Sequence, residues 1–171
     1  MNRVVTGYDE SGNPAIIRQG EPPTVIHAGR YVTTELWVTD TTPPRAADTD
    51  MSTREWRLEP PSAGTCFRIV EIAPAGDEDE QDDDQSGGDG AGPADRDDAP
   101  DAGHEGFQDA HATDTLDYVT VLRGEVVLVV GGTEVTLRPG DSVVQQPGVP
   151  HDWQNRSAER AVMVGVLLSA R

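Results

Sequence analysis

Three side chains in the last third of the chain could do chemistry together: His111, Asp117 and His151. They lie in the runs His-Ala-Thr-Asp-Thr-Leu-Asp-Tyr (111–118) and Pro-His-Asp-Trp-Gln-Asn (150–155). Imidazole nitrogen and carboxylate oxygen suit borderline metals such as iron, manganese, zinc or nickel, and two His plus one carboxylate on one face leave positions open for substrate or dioxygen. Without a metal, the same groups form a His–carboxylate pair able to move protons. Asp117 follows His111 by six residues. In an extended stretch the two point the same way, and Thr113 and Thr115 share that parity. A His beside a turn often only hydrogen-bonds at the surface, and an Asp can cap a turn. It is the joint placement of the three at strand edges around a hairpin that marks a site.

The elements that must position these residues read as short β-strands with turn residues between them. In the first part, Arg3–Thr6, Ala15–Arg18 and Glu35–Thr39 are strand-like, with the turn Asp9–Asn13 between the first two. Prolines at 43–44 and 60–61 bracket an irregular loop that could include a short helix near Asp50–Glu55, and His27 falls in a loop before Gly29. Thr65–Ile72 is a strand in which Cys66 and Arg68 point opposite to Phe67 and Ile69, by the two-residue period. Later, Asp117–Leu122, Glu125–Val130, Glu134–Leu137, Ser142–Gln145 and Ala161–Leu168 are strand-like. Gly131-Gly132 marks a tight hairpin, because glycine accepts the positive φ such turns require. Pro139-Gly140-Asp141 turns the chain into the next strand. No segment has a helical period longer than about two turns. The expected architecture is all-β, a sandwich or a barrel.

Composition bounds the partners. The formal net charge is −18 over 171 residues, but fourteen Asp and Glu against Arg96 alone lie between Asp77 and Asp109, a net of −13 that leaves −5 for the rest. Residues 76–106 offer only alanines as apolar groups and are expected to form a disordered acidic loop between two strands, since they bury too little surface to offset the entropy of ordering. With like charges and no basic stripe, nucleic acid and anionic lipid are not expected partners. One cysteine, Cys66, permits no internal disulfide and reads as a packing residue. No window reaches the length of a membrane span, and the N-terminus lacks the apolar core of a signal peptide, so a cytoplasmic location is expected.

The chain resembles the cupin superfamily of small jelly-roll (double-stranded β-helix) proteins. The first cupin motif, Gly-x5-His-x-His-x3-Glu-x6-Gly, is matched at His111, then Thr113 in place of the second His, Asp117 in place of Glu, and Gly124. The second motif is matched at Gly140, at Gln-Pro-Gly (146–148) with a one-residue shift, at His151 and at Asn155. The likeness covers about 111–168 and extends more loosely to 1–75. It is similar to a branch of short single-domain cupins through Val-Val-Thr-Gly-x-Asp-x-x-Gly (4–12), Glu-Leu-Trp-x-Thr-Asp (35–40) and Gly-Thr-x-Phe-Arg-Ile-Val-Glu (64–71). Some members of that branch accompany secondary-metabolite pathways as cupin-domain oxidoreductases.

The resemblance implies a cupin barrel with N-terminal strands (1–75) completing it and forming a homodimer edge, an acidic insert (76–106) and a cupin core (107–171). It implies a small organic ligand and a divalent ion (Fe, Mn or Zn) held by His111, Asp117 and His151, with no nucleotide cofactor. Gln145 is then a candidate fourth oxygen donor or substrate hydrogen-bonder, and Thr113 a pocket residue. Trp153, on the same face as His151 if that stretch is extended, could stack on a flat substrate or plug the barrel. Phe67 is a further candidate wall residue, and Tyr118 is expected in the core. The function this implies first is a metal-dependent oxidoreductase-type enzyme acting on a small organic molecule, with a metal-free isomerase or dehydratase using a His–Asp pair, or a non-catalytic small-ligand module, as the alternatives.

Overall fold

In the computed structural model, residues 1–44, 50–75 and 110–170 are described. Eleven strands follow in order: β1 (Arg3–Tyr8), β2 (Pro14–Gly20), β3 (Thr24–Ala28), β4 (Tyr31–Thr39), β5 (Thr65–Ile72), β6 (Thr115–Arg123), β7 (Val126–Val130), β8 (Thr133–Leu137), β9 (Ser142–Gln145), β10 (Asp152–Gln154) and β11 (Ala161–Ser169). The all-β expectation holds, and the described residues contain no helix. A six-stranded antiparallel sheet in the order β3-β4-β5-β11-β6-β9 faces a three-stranded sheet, β10-β7-β8. Tyr31, Ile72, Val121 and Met163 from the first sheet pack with Val126, Leu128 and Leu137 from the second to make the core.

Alternation in β5, β6 and β11 sends every second residue inward, and antiparallel pairing lines these up in rows. One row runs Val38, Cys66, Leu167, Asp117, Gln145 across five strands, and all five side chains are buried. The next inward row joins Glu35, Arg68, Gly165 and Val119. The opposite parity leaves Phe67 40% and Tyr118 48% exposed. Tyr118 is therefore not a core residue, because its neighbour Asp117 holds the inward position.

The turn glycines act as the sequence implies at Gly131 and Gly132 (φ 56° and 81°), which close the β7–β8 hairpin. Strands β1 and β2 form a separate two-stranded hairpin. It is latched to the barrel by Asp50, whose Oδ2 accepts from Arg3 Nη1 (2.7 Å) and Arg18 Nη1 (3.1 Å). No helix forms at Asp50–Glu55. There the Asp50 carboxylate accepts from the Ser52 amide (2.9 Å) and the Arg54 amide donates to Met51 O (3.0 Å), which turns the chain once and releases it. His27 is not in a loop but in β3, opposite Val32, with its side chain outward. The acidic insert 76–106, with His104, lies outside the described residues.

Candidate functional site

The two motif segments are zipped together by backbone. His111 and His151 exchange amide–carbonyl hydrogen bonds in an isolated antiparallel bridge (3.0 and 2.9 Å), and the Gly148 amide donates to Thr113 O (2.8 Å). The bridge sets the two imidazoles side by side, ring centroids 4.7 Å apart and planes tilted by 54°. His151 is buried, and its Nδ1 lies 2.9 Å from Val149 O. A carbonyl only accepts, so Nδ1 carries the proton and a neutral ring keeps its lone pair on Nε2. Gln145 Nε2 donates to the same carbonyl at 3.3 Å. The Trp153 ring meets His151 edge-on, with centroids 6.0 Å apart.

Asp117, inward-facing on β6, is 6% exposed, and its Oδ1 has no hydrogen-bond partner among the described residues. Burial pushes its carboxyl above the usual carboxylate range, more than the Thr115 hydroxyl and the charges of His151 and Arg68 pull it down. Across the sheet sits an ion pair, Arg68 Nη2 to Glu35 Oε1 at 2.8 Å, with both residues 2% exposed. Arg68 Nη1 donates to Leu58 O (2.8 Å), and the guanidinium lies 6.0 Å from the Trp56 ring centroid. Burial holds the Glu35 carboxyl above its ordinary range even against the Arg68 charge.

These groups share one cavity. His111, Thr113, Asp117, His151 and Arg68 supply its polar lining, and Tyr31, Leu58, Val70, Trp153, Met163 and Leu167 its apolar walls. The space open to the centre of a water molecule is about 60 Å³, so the cavity suits a few waters or a small molecule. Tyr31 OH donates to Trp153 O (2.9 Å), and burial, with Asp152 nearby, pushes the phenol up to about 12, so it stays a neutral phenol at any ordinary pH.

Of the residues singled out from sequence, His111, Asp117, His151, Thr113 and Trp153 line the cavity. Gln145 does not. It stands opposite Asp117 in the β6–β9 register, but its amide is spent on Val149 O. Phe67 also lies outside the cavity, its side chain on the outer sheet face. Asn155, which closes the second motif, is structural: its fully buried amide donates to Ile72 O (2.9 Å) and Glu159 O (2.7 Å). Arg68 was missed as a site residue, although its shared parity with Cys66 already put it on the inner face.

A metal centre was tested on the donor set. Among the described residues no three His, Cys, Asp or Glu side chains are grouped to hold one ion. Where the cupin motif has its second His, the Thr113 hydroxyl pairs with Thr115 Oγ1 at 2.7 Å. His111, Asp117 and His151 face one cavity, but as placed they are not grouped into a three-donor site.

Residues 99–167 match the family model described as the cupin domain. The cupin domain of Cnp3 from Schizosaccharomyces pombe superposes with a TM-score of 0.51 over 98% of this chain and 87% of that one, at 7% identity. An RmlC-like cupin from Shewanella frigidimarina is 15% identical, with 86% and 85% coverage and a TM-score of 0.46. A sugar phosphate isomerase of the cupin superfamily from Silicibacter pomeroyi is 14% identical, with 84% and 66% coverage and a TM-score of 0.44. No curated protein matches the chain. The matched segment, well under half of the chain, is similar to the cupin domain, and the two facing sheets have the fold of the cupin barrel. Among the described residues no helix is long and apolar enough to cross a membrane.

Proposed function

We propose that this cupin barrel holds a small organic molecule and moves protons on it without a metal, as an isomerase or dehydratase. His151 Nε2 serves as the base and takes a proton from a carbon of the substrate. Asp117, in its protonated form, gives one back, either to the neighbouring atom or to a hydroxyl that leaves as water. The observation that carries this reading is the buried Asp117 Oδ1 without a partner, in the same cavity as an imidazole oriented through its other nitrogen. A general base needs that kind of orientation, and a catalytic acid is favoured by burial that raises its carboxyl, the direction seen at Asp117.

The test uses chelator-treated protein in D2O with a panel of small ketones and hydroxy compounds, and follows deuterium entry by NMR. Exchange should occur without metal and fall about a hundredfold or more in His151→Gln and in Asp117→Asn. Exchange indifferent to both substitutions refutes the assignment, and binding without exchange leaves a small-ligand module. A metal-dependent oxidoreductase using iron, manganese or zinc at His111, Asp117 and His151 is the second reading. It is supported by the backbone bridge that sets the two imidazoles together. Stoichiometric metal in untagged protein, lost in His151→Ala, would favour it over the first.

A further inference from the structure

The cavity's charges say what kind of molecule enters it. Among the described residues, Arg68 is the only one in the lining that carries a permanent positive charge. That charge is already matched by Glu35 at 2.8 Å, out of reach of water on both sides. The remaining ionisable acid in the lining is Asp117. Among the described residues the lining therefore offers no unpaired guanidinium or ammonium, and Asp117 can add only a negative charge or none. A carboxylate or phosphate entering it would lose its hydration and find no unmatched cation, which is a costly exchange.

One donor remains unspent. Arg68 uses Nη1 on Leu58 O and Nη2 on Glu35, and its buried Nε has no partner among the described residues. An N–H in that position asks for a neutral oxygen acceptor. The rest of the wall is mostly aliphatic and aromatic, which favours a ligand of low polarity.

We propose that Arg68 is a specificity-determining residue, and that the barrel takes uncharged carbonyl compounds, their oxygen received by Arg68, while rejecting organic anions of the same shape. This rests on the proton-transfer reading above for its chemistry, since a carbonyl is what makes a neighbouring C–H removable. His151 would take that proton, the electron pair would pass to the carbonyl oxygen beside the Arg68 N–H, and a proton returned to carbon or oxygen would complete the step. Glu35 acts through Arg68 as a positioning residue that cancels its charge.

The experiment pairs methyl ketones with isosteric carboxylates: butanone with propionate, cyclohexyl methyl ketone with cyclohexanecarboxylate, and acetophenone with benzoate. Binding is read by saturation-transfer NMR and thermal shift at pH 8, above the range in which a free imidazole is charged. The full chain should bind the ketone of each pair at least tenfold more tightly. Glu35→Gln, which uncovers the Arg68 charge, should shrink or reverse that ratio. The double variant Glu35→Gln with Arg68→Gln, checked for native fold by circular dichroism, should lose the shift. Carboxylates bound as well as ketones by the native chain, or a ratio unmoved by Glu35→Gln, overturn the proposal. Deuterium exchange in D2O separates the two readings. Carboxylate preference with His151-dependent exchange sinks only the specificity claim. Ketone preference without exchange sinks only the proton-transfer reading. Binding of neither class sinks both.

Discussion

Asp117→Asn should make the protein more stable at neutral pH while removing the proton transfer proposed for it. The carboxyl is 6% exposed and its Oδ1 lacks a partner, so folding strips an ionisable oxygen of water and offers nothing in return. Its pKa is raised chiefly by that burial, so the native state holds the proton more tightly than the unfolded chain does. The sign follows from linkage. A carboxyl whose native pKa lies above its unfolded value, 3.8, takes up protons on folding, and stability falls as pH rises from about that value through the native pKa. Below 3.8 the group is protonated in both states and the penalty vanishes. Asparagine carries no charge at any pH and keeps the shape. An unsatisfied buried polar group costs about 1–3 kcal/mol, more when charged, and the amide retains part of that cost. The variant should therefore gain about 1–2 kcal/mol at pH 7, or roughly 2–4 °C in melting temperature for each kcal/mol in a chain of this size. Urea denaturation of both proteins at pH 4, 5.5 and 7 measures it, and the gap should open as pH rises. A gap of constant size, or a variant less stable at pH 7, would mean that Arg68 or His151 already compensates the Asp117 charge, and the account of a strained acid would be wrong.

Two further outcomes probe the frame. Asp50→Asn should cost about 2–3 kcal/mol, somewhat below the usual penalty for breaking a buried ion pair because Arg18 stays largely hydrated. Although burial pushes the Asp50 carboxyl up, hydrogen bonds from Ser52 and Arg3 and the Arg3 charge bring it below its ordinary 3.8. Its contribution is then present above that value and lost as pH falls through the lowered native one, and hydrogen exchange of residues 3–20 should show the hairpin loosening first. Gly64→Ala should cost about 3 kcal/mol or more by chemical denaturation, because its Cβ would collide with Thr39 O and crowd Pro61 O at 3.0 Å, backbone atoms that cannot step aside.

Much of the barrel was legible because its cause is local. Alternation in Thr65–Ile72 and Ala161–Ser169, and the Gly131-Gly132 turn, act over a few residues and survive in any context. The strand Thr24–Ala28 was not legible. It follows two prolines, carries a histidine, and holds its place by pairing with β4 as the edge of the sheet. Residues Asp152–Gln154 are too few to show a period, and it is Val127–Val129 across the ladder that make them a strand. The inward face of Arg68 was legible from parity. Its place at the cavity was not, because that depends on Glu35, more than thirty residues away in sequence, arriving in register beside it.

The candidate site divides along the same line. Motif spacing places residues 111–117 and 148–151 side by side, and what enforces this is the backbone: the His111–His151 bridge and the Gly148 amide on Thr113 O. Those bonds form whatever side chain stands at 113. The motif spacing thus works as an instruction for folding independently of any ligand, and Thr113, whose hydroxyl pairs with Thr115, is where the two roles separate. The chemistry of this barrel should accordingly be sought in the groups the cavity leaves unsatisfied, Asp117 Oδ1 and Arg68 Nε, more than in the spacing that brought their neighbours together.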